Sequence, residues 1–113
     1  MKERRRLKRK KISYYLKVVD TDTLKLVGHL TDITIEGFNL DSQHFIAEGT
    51  ELNLSIETTP DVCDTDFISF KAQSVWCKMD KIIPNVFNVG FQIMDIGARE
   101  IEVLHRISEK YGS

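Results

Sequence analysis

Cysteine and proline are scarce in this chain, with two of each among 113 residues. Cys63 and Cys77 stand far apart without a CxxC spacing, which favours reduced thiols over a disulfide framework or a zinc site. Long hydrophobic runs are missing as well: charges interrupt every apolar stretch after a few residues, so no transmembrane helix is available. The basic start leads into Ser13-Tyr14-Tyr15-Leu16-Lys17 rather than a long apolar segment with a small-residue cleavage site, so it does not read as a signal peptide. A cytoplasmic protein without membrane insertion is the expectation.

The marks of catalysis are equally thin. There is no phosphate-cradling glycine loop and no nucleophile-elbow serine, and His29, His44 and His105 are scattered along the chain. Neither cysteine has a His or Lys beside it in sequence to lower its pKa. The acids of Thr58 to Asp66 lack the spacing and glycine of a calcium loop, and Glu100 and Glu102 read as a solvated helix face. No enzyme, no metal and no resident cofactor are expected.

What is present is a sharp asymmetry of charge. The net charge of the chain is -1, yet residues 2–11 hold eight of the 16 basic residues and one of the 17 acids, a local +7 that leaves −8 for the remainder. Such a run is a solvated tail or an arm for an anionic partner. The length and the 42% hydrophobic content suit one compact domain. The reading is a basic N-terminal arm over 1–11, mobile because its charges repel, and a single domain over 12–113.

Through the domain the apolar pattern has a period of two. Ser13 to Asp20 and Leu24 to Asp32 read as a hairpin joined at Thr21-Asp22-Thr23. Phe38 to Leu40 is a short strand, and Thr50 to Glu57 alternates Leu52, Leu54 and Ile56 against Glu51, Asn53, Ser55 and Glu57. Phe67 to Lys78 places Ile68, Phe70, Ala72, Ser74 and Trp76 on one face, and Val86 to Met94 alternates from Phe87 to Ile93. Phe70, Trp76, Phe87 and Phe91 are thus expected in the core. Only the end changes period: Ile101, Leu104, Ile107 and Tyr111 recur at helical spacing over about 97–111, with Gly112 as a C-terminal cap. Five or six short strands and one terminal helix suggest a small antiparallel barrel partly covered by the helix.

Two stretches stand out against this background. Asp32-Ile33-Thr34-Ile35-Glu36-Gly37 gathers a carboxylate, a hydroxyl and a glycine after an apolar strand, as in a side-chain-capped turn whose Gly37 either takes φ > 0 or admits close approach of another group. Arg5-Arg6-Leu7-Lys8-Arg9 is an RxxxR just before the first strand. In this order and strand context, with Val75-Trp76-Cys77, Val89-Gly90-Phe91-Gln92 and the closing helix, the chain resembles a PilZ domain over essentially its whole length. The one departure is Thr34 where the second motif, [D/N]xSxxG, has serine.

The resemblance implies a mainly β fold, a six-stranded antiparallel β-barrel with a C-terminal α-helix, that binds the bacterial second messenger cyclic di-GMP. By motif position the ligand contacts would be Arg5 and Arg9, then Asp32, Thr34 and Gly37, with Arg4 as a further stacking cation favouring a dimeric ligand. A guanidinium offers forked donors to guanine O6 and N7 or to phosphate, and it stacks on purines, which lysine does not. The implied role is a receptor or adaptor with a protein partner, and a homodimer is compatible with it. Two alternatives stand beside it: a PilZ-type interaction protein that no longer binds nucleotide, and a small nucleic-acid-binding barrel. The acidic body argues against DNA or RNA.

Overall fold

The computed structural model describes residues 10–34 and 36–112. Its strands are β1 (Lys10–Lys11), β2 (Lys17–Asp20), β3 (Leu26–Ile33), β4 (Gly37–Ser42), β5 (Glu51–Glu57), β6 (Phe67–Met79) and β7 (Phe87–Asp95), followed by helix α1 (Ala98–Tyr111). All pairings are antiparallel. Around the sheet the order is β3-β2-β5-β6-β7-β4, and a further β3–β4 pairing closes it into a six-stranded barrel. The two-residue β1 continues the β2 edge, pairing with the far end of β3 through Lys10 to Ile33 and Lys11 to Asp32. Closure removes the unpaired edges that would otherwise invite association.

The alternating residues become the core. Val18, Leu30, Ile33, Phe38, Leu40, Leu54, Ile56, Ile68, Phe70, Ala72, Val89 and Phe91 all point inward and are nearly inaccessible. Phe38 stacks on Phe91 at 5.3 Å and meets Phe70 edge-on at 5.5 Å. Each fully buried side chain of this size contributes about 1.5–3 kcal/mol of hydrophobic stabilisation. Phe70 and Phe91 are core residues as expected, and Phe87 packs partly against the core.

The chain departs from the expected first hairpin. Strand pairing begins at Lys17 rather than Ser13, because the preceding residues turn aside to meet the helix end. Ile12 forms an antiparallel bridge with Gly112, and Ser13 donates to the Tyr111 carbonyl from both its amide (2.8 Å) and its hydroxyl (2.9 Å). Tyr14 stacks on Tyr111 at 4.8 Å. Leu16 returns to the barrel, fully buried, and its carbonyl accepts from the Leu30 amide.

Helix α1 also differs by one position from the expected stripe. Val103, Leu104 and Ile107 are buried, whereas Ile101 is 40% exposed. The spacing alone does not distinguish these faces; the helix turns its Val103 side to the loop after β5, whose Val62 and Cys63 are buried in the same core. Polar contacts hold that loop and helix together: Arg106 Nη1 donates to the Val62 carbonyl at 3.2 Å, Arg99 pairs with Asp64 at 3.1 Å, and the Tyr111 and Thr59 hydroxyls meet at 2.7 Å. Gly112 adopts an extended conformation and donates to the Ser108 carbonyl at the helix end.

The β6–β7 loop is organised by one carboxylate. Asp80 Oδ1 accepts from the amides of Ile82 and Ile83, both at 2.8 Å, and Oδ2 accepts from Asn88 at 3.2 Å. These bonds favour the ionised form and hold the Asp80 carboxyl below its usual range. Because the folded pKa is depressed, this contribution to loop order is present above the ordinary aspartate pKa of about 3.9 and is lost as pH falls through the lower folded value. In an NMR titration the Ile82 and Ile83 amide resonances are therefore expected to move only below that ordinary value, and Asp80→Ala should abolish the transition.

Candidate functional site

The second motif sits where β3 turns into β4. Thr34 knits this turn: its hydroxyl donates to the Gly37 carbonyl (3.2 Å) and accepts from the amides of Gly37 (3.1 Å) and Glu36 (3.3 Å), while its own amide donates to the Gly37 carbonyl at 2.8 Å. A serine hydroxyl could make the same three bonds, so the threonine keeps the turn chemistry and adds only a methyl group.

Gly37 begins β4, opposite Gln92. Of the two uses expected for it, close approach is the one realised, and the approaching group is backbone: a Cβ here would lie 2.1 Å from the Phe91 carbonyl oxygen. The glycine thus lets β4 and β7 pair at the start of their ladder.

Asp32 is carried on β3 beside Asn39 of β4 and Lys11 of β1. Strict alternation would put it on the same face as the buried Leu30. A bulge between Leu30 and Asp32 shifts the register, so Ile33 enters the core opposite Phe38 while Asp32 turns to the outer face. It remains only 9% exposed there.

A second bulge on β6 does the same to Trp76. The register shifts between Ser74 and Trp76; Ser74 is buried, but Trp76 leaves the inner face on which alternation would place it. The indole instead lies across Gly90 of β7, where a Cβ would come within 2.3 Å of Nε1. Ladder partners share a face, so Asp32, Asn39, Gly90 and Trp76 form one row over β3, β4, β7 and β6. The expectation of Trp76 in the core is therefore corrected. A glycine in the middle of β7 was the available signal, since an interior strand glycine marks close approach of another group. Lys78 Nζ lies 5.8 Å from the indole centroid.

Of the other candidates, Arg4, Arg5 and Arg9 lie outside the described residues. The segment that directly follows Arg9 is β1, whose pairing with Asp32 and Ile33 lays it beside the second motif. Nearby on the outer face, Tyr15 stacks on His29 at 3.6 Å, and His29 Nδ1 is 3.6 Å from Asp41.

Elsewhere, an open depression of about 440 Å³ lies between the loop after β5 and helix α1, lined by Val62, Cys63, Asp64, Arg99 and Arg106 among others. Burial pushes the Cys63 thiol up, but bonds with Thr65 and the Arg99 guanidinium 3.5 Å away outweigh it and leave the pKa lowered. That neighbour comes from a helix 36 residues later, which the residues adjacent to Cys63 could not reveal. Among the described residues no His, Cys, Asp and Glu cluster could hold a metal ion, and no helix is long and apolar enough to cross a membrane.

The model of the PilZ domain family matches residues 3–110. No curated protein matches the chain. Among solved structures, the PilZ domain of YcgR from Escherichia coli, determined with c-di-GMP, superposes with a TM-score of 0.65 at 17% identity, covering 95% of this chain and 96% of that one. The inhibitor of motility MotI/DgrA of Bacillus subtilis superposes with a TM-score of 0.69 at 15% identity, covering 91% of this chain and 51% of that one. The chain thus spans about half the length of the Bacillus protein, and at these identities the likeness is one of fold.

The turn geometry makes a stability test direct. Gly37→Ala forces a methyl against a backbone carbonyl and is expected to cost about 1–3 kcal/mol in urea unfolding. Thr34→Val, which strips the turn of its hydroxyl bonds, should cost about 1–3 kcal/mol, and Thr34→Ser should stay within about 0.5 kcal/mol of the parent.

Proposed function

The chain belongs to the PilZ domain family, and from that premise we propose that it is a non-enzymatic receptor for cyclic di-GMP. The ligand is held between the RxxxR arginines and the outer face at the DxTxxG turn. The observation that carries this reading is the β1–β3 pairing, because it runs the chain immediately after Arg9 alongside Asp32 and Ile33. This supports a site shared by two motifs that are more than twenty residues apart in sequence.

Each residue has a role suited to its chemistry. Arg5 and Arg9 supply forked cationic donors to guanine edges and phosphate oxygens, with Arg4 stacking on an exposed purine face. Asp32 accepts from guanine N1–H and N2–H₂, which its outer-face placement favours. Thr34 and Gly37 act by shaping the turn on which the base rests, since the Thr34 hydroxyl is already engaged with the backbone. Trp76 joins the list as a stacking surface in the same row as Asp32. The solved YcgR domain with c-di-GMP supports the ligand class.

The protein then works as an adaptor in the cytoplasm. Its +7 arm and a dianionic ligand attract, and the ligand bridging arm and barrel changes the surface offered to a protein partner. The name of the Bacillus protein, an inhibitor of motility, supports motility control as an output.

Isothermal titration of cyclic di-GMP into the intact chain tests the reading, with GMP and GTP as controls. Saturable binding is expected at micromolar or tighter affinity. A bidentate contact is worth about 1–3 kcal/mol, so Arg5→Ala/Arg9→Ala should lose at least about tenfold per arginine. Absence of heat at high ligand would overturn the receptor and leave a PilZ-fold interaction protein.

A further inference from the structure

The end of the barrel opposite helix α1 carries a feature that nucleotide binding does not use. Strand β6 is 13 residues long, but its pairing with β5 stops at Gln73. The β6–β7 hairpin continues beyond that point to Met79, six residues or about 20 Å further along the strand. At its tip Ile82 is 88% exposed and Ile83 54%, with Met79 at 68%. Phe45 of the loop after β4, 64% exposed, rests edge-on against Phe87 at the base of the tip.

These apolar side chains are held outward by an ordered loop. Asp80 fixes the Ile82 and Ile83 amides, and its own amide donates to the Val86 carbonyl at 2.8 Å. The same bonds keep Asp80 ionised, so the hairpin carries one negative charge against two lysines and is net positive. Asp80 is the only acid between Ser74 and Asn88, whereas Lys78 and Lys81 flank the tip. Of the acids on neighbouring elements, Glu48 and Glu51 lie level with Ser74 and Gln73 well below it, and Asp41 of β4 lies opposite Asn88 at its base, 3.6 Å from His29 Nδ1.

We propose that this hairpin is a peripheral docking wedge for an anionic lipid bilayer. Its projecting form suits a deformable surface, in which Ile82, Ile83, Met79 and Phe45 enter the headgroup–acyl boundary while Lys78 and Lys81 meet anionic headgroups. No membrane-spanning segment is required. Lys78 borders the row from Asp32 to Trp76, 5.8 Å from the indole, whereas the apolar tip takes no part in the proposed nucleotide site.

Cosedimentation with vesicles tests it, using phosphatidylcholine with and without phosphatidylglycerol. The intact chain is used at near-physiological ionic strength, where Lys78 and Lys81 still attract the headgroups. The chain is expected to bind the phosphatidylglycerol vesicles, and Ile82→Asp/Ile83→Asp should lower partitioning by about tenfold or more. The unfolding midpoint of that variant should match the parent; if it does not, the milder Ile82→Ser serves as the second variant, with a smaller loss expected. Ile82→Trp should bind at least as well as the parent. The proposal is overturned if the intact chain ignores vesicles, which would leave the tip as a protein contact. It is equally overturned if the Asp pair binds unchanged, which would assign binding to residues 2–11.

Discussion

The pairing of β3 with β4 is the constraint on which the rest of the barrel depends. It joins two strands that follow each other through a tight turn, and in doing so converts an open sheet into a closed one. Closure demands that every inward position be filled and every strand be covered on both edges. The alternation of the strands satisfies the first condition almost everywhere. Where it does not, a bulge makes the adjustment: at Leu30/Asp32 the shift delivers Ile33 to the core and Asp32 to the surface, and at Ser74/Trp76 it sends an indole outside. The features that close the barrel and the features that expose chemistry are thus the same residues.

Much of this was legible from residue order. Period-two runs located the strands from β3 to β7, and the change to helical spacing located α1, because hydrophobic burial dominates both. The turn at Thr34 and Gly37 was legible too, since a hydroxyl and a glycine three residues apart have few other uses. The faces of Trp76 and Ile101 were not. A bulge inserts half a period without any distinctive residue of its own, and a helix stripe of Ile101, Val103, Leu104 and Ile107 can be rotated either way until its neighbours are known. The Gly90 that accommodates the indole was visible, but its meaning required knowing which strand lay beside it.

Polar chemistry followed a different logic. Ser55 alternates with Leu54 and Ile56 and reads as a solvent-facing residue, yet it is buried, its hydroxyl 2.7 Å from those of both Thr21 and Ser69. Three hydroxyls, from β5, β6 and the turn after β2, satisfy one another, which lets a polar face be covered without an unpaired donor. Arg99 works similarly at longer range, joining Asp64, Thr65 and Cys63 across 34 to 36 residues. Contacts of this type depend on which loops and strands meet, a matter that sequence spacing does not record.

The clamp between Ile12–Ser13 and Tyr111–Gly112 has a thermodynamic corollary. It makes the last turn of the helix and the root of the basic segment one mechanical unit, so the two cannot be loaded separately. By linkage, a partner that grips the final turn of α1 and shifts this clamp would change the affinity of any ligand whose binding also shifts it, and that ligand would change the partner's affinity by the same factor. The stacked Tyr14 and Tyr111 rings would be the spectroscopic reporter of such traffic, because their 4.8 Å contact exists only while the two ends stay joined.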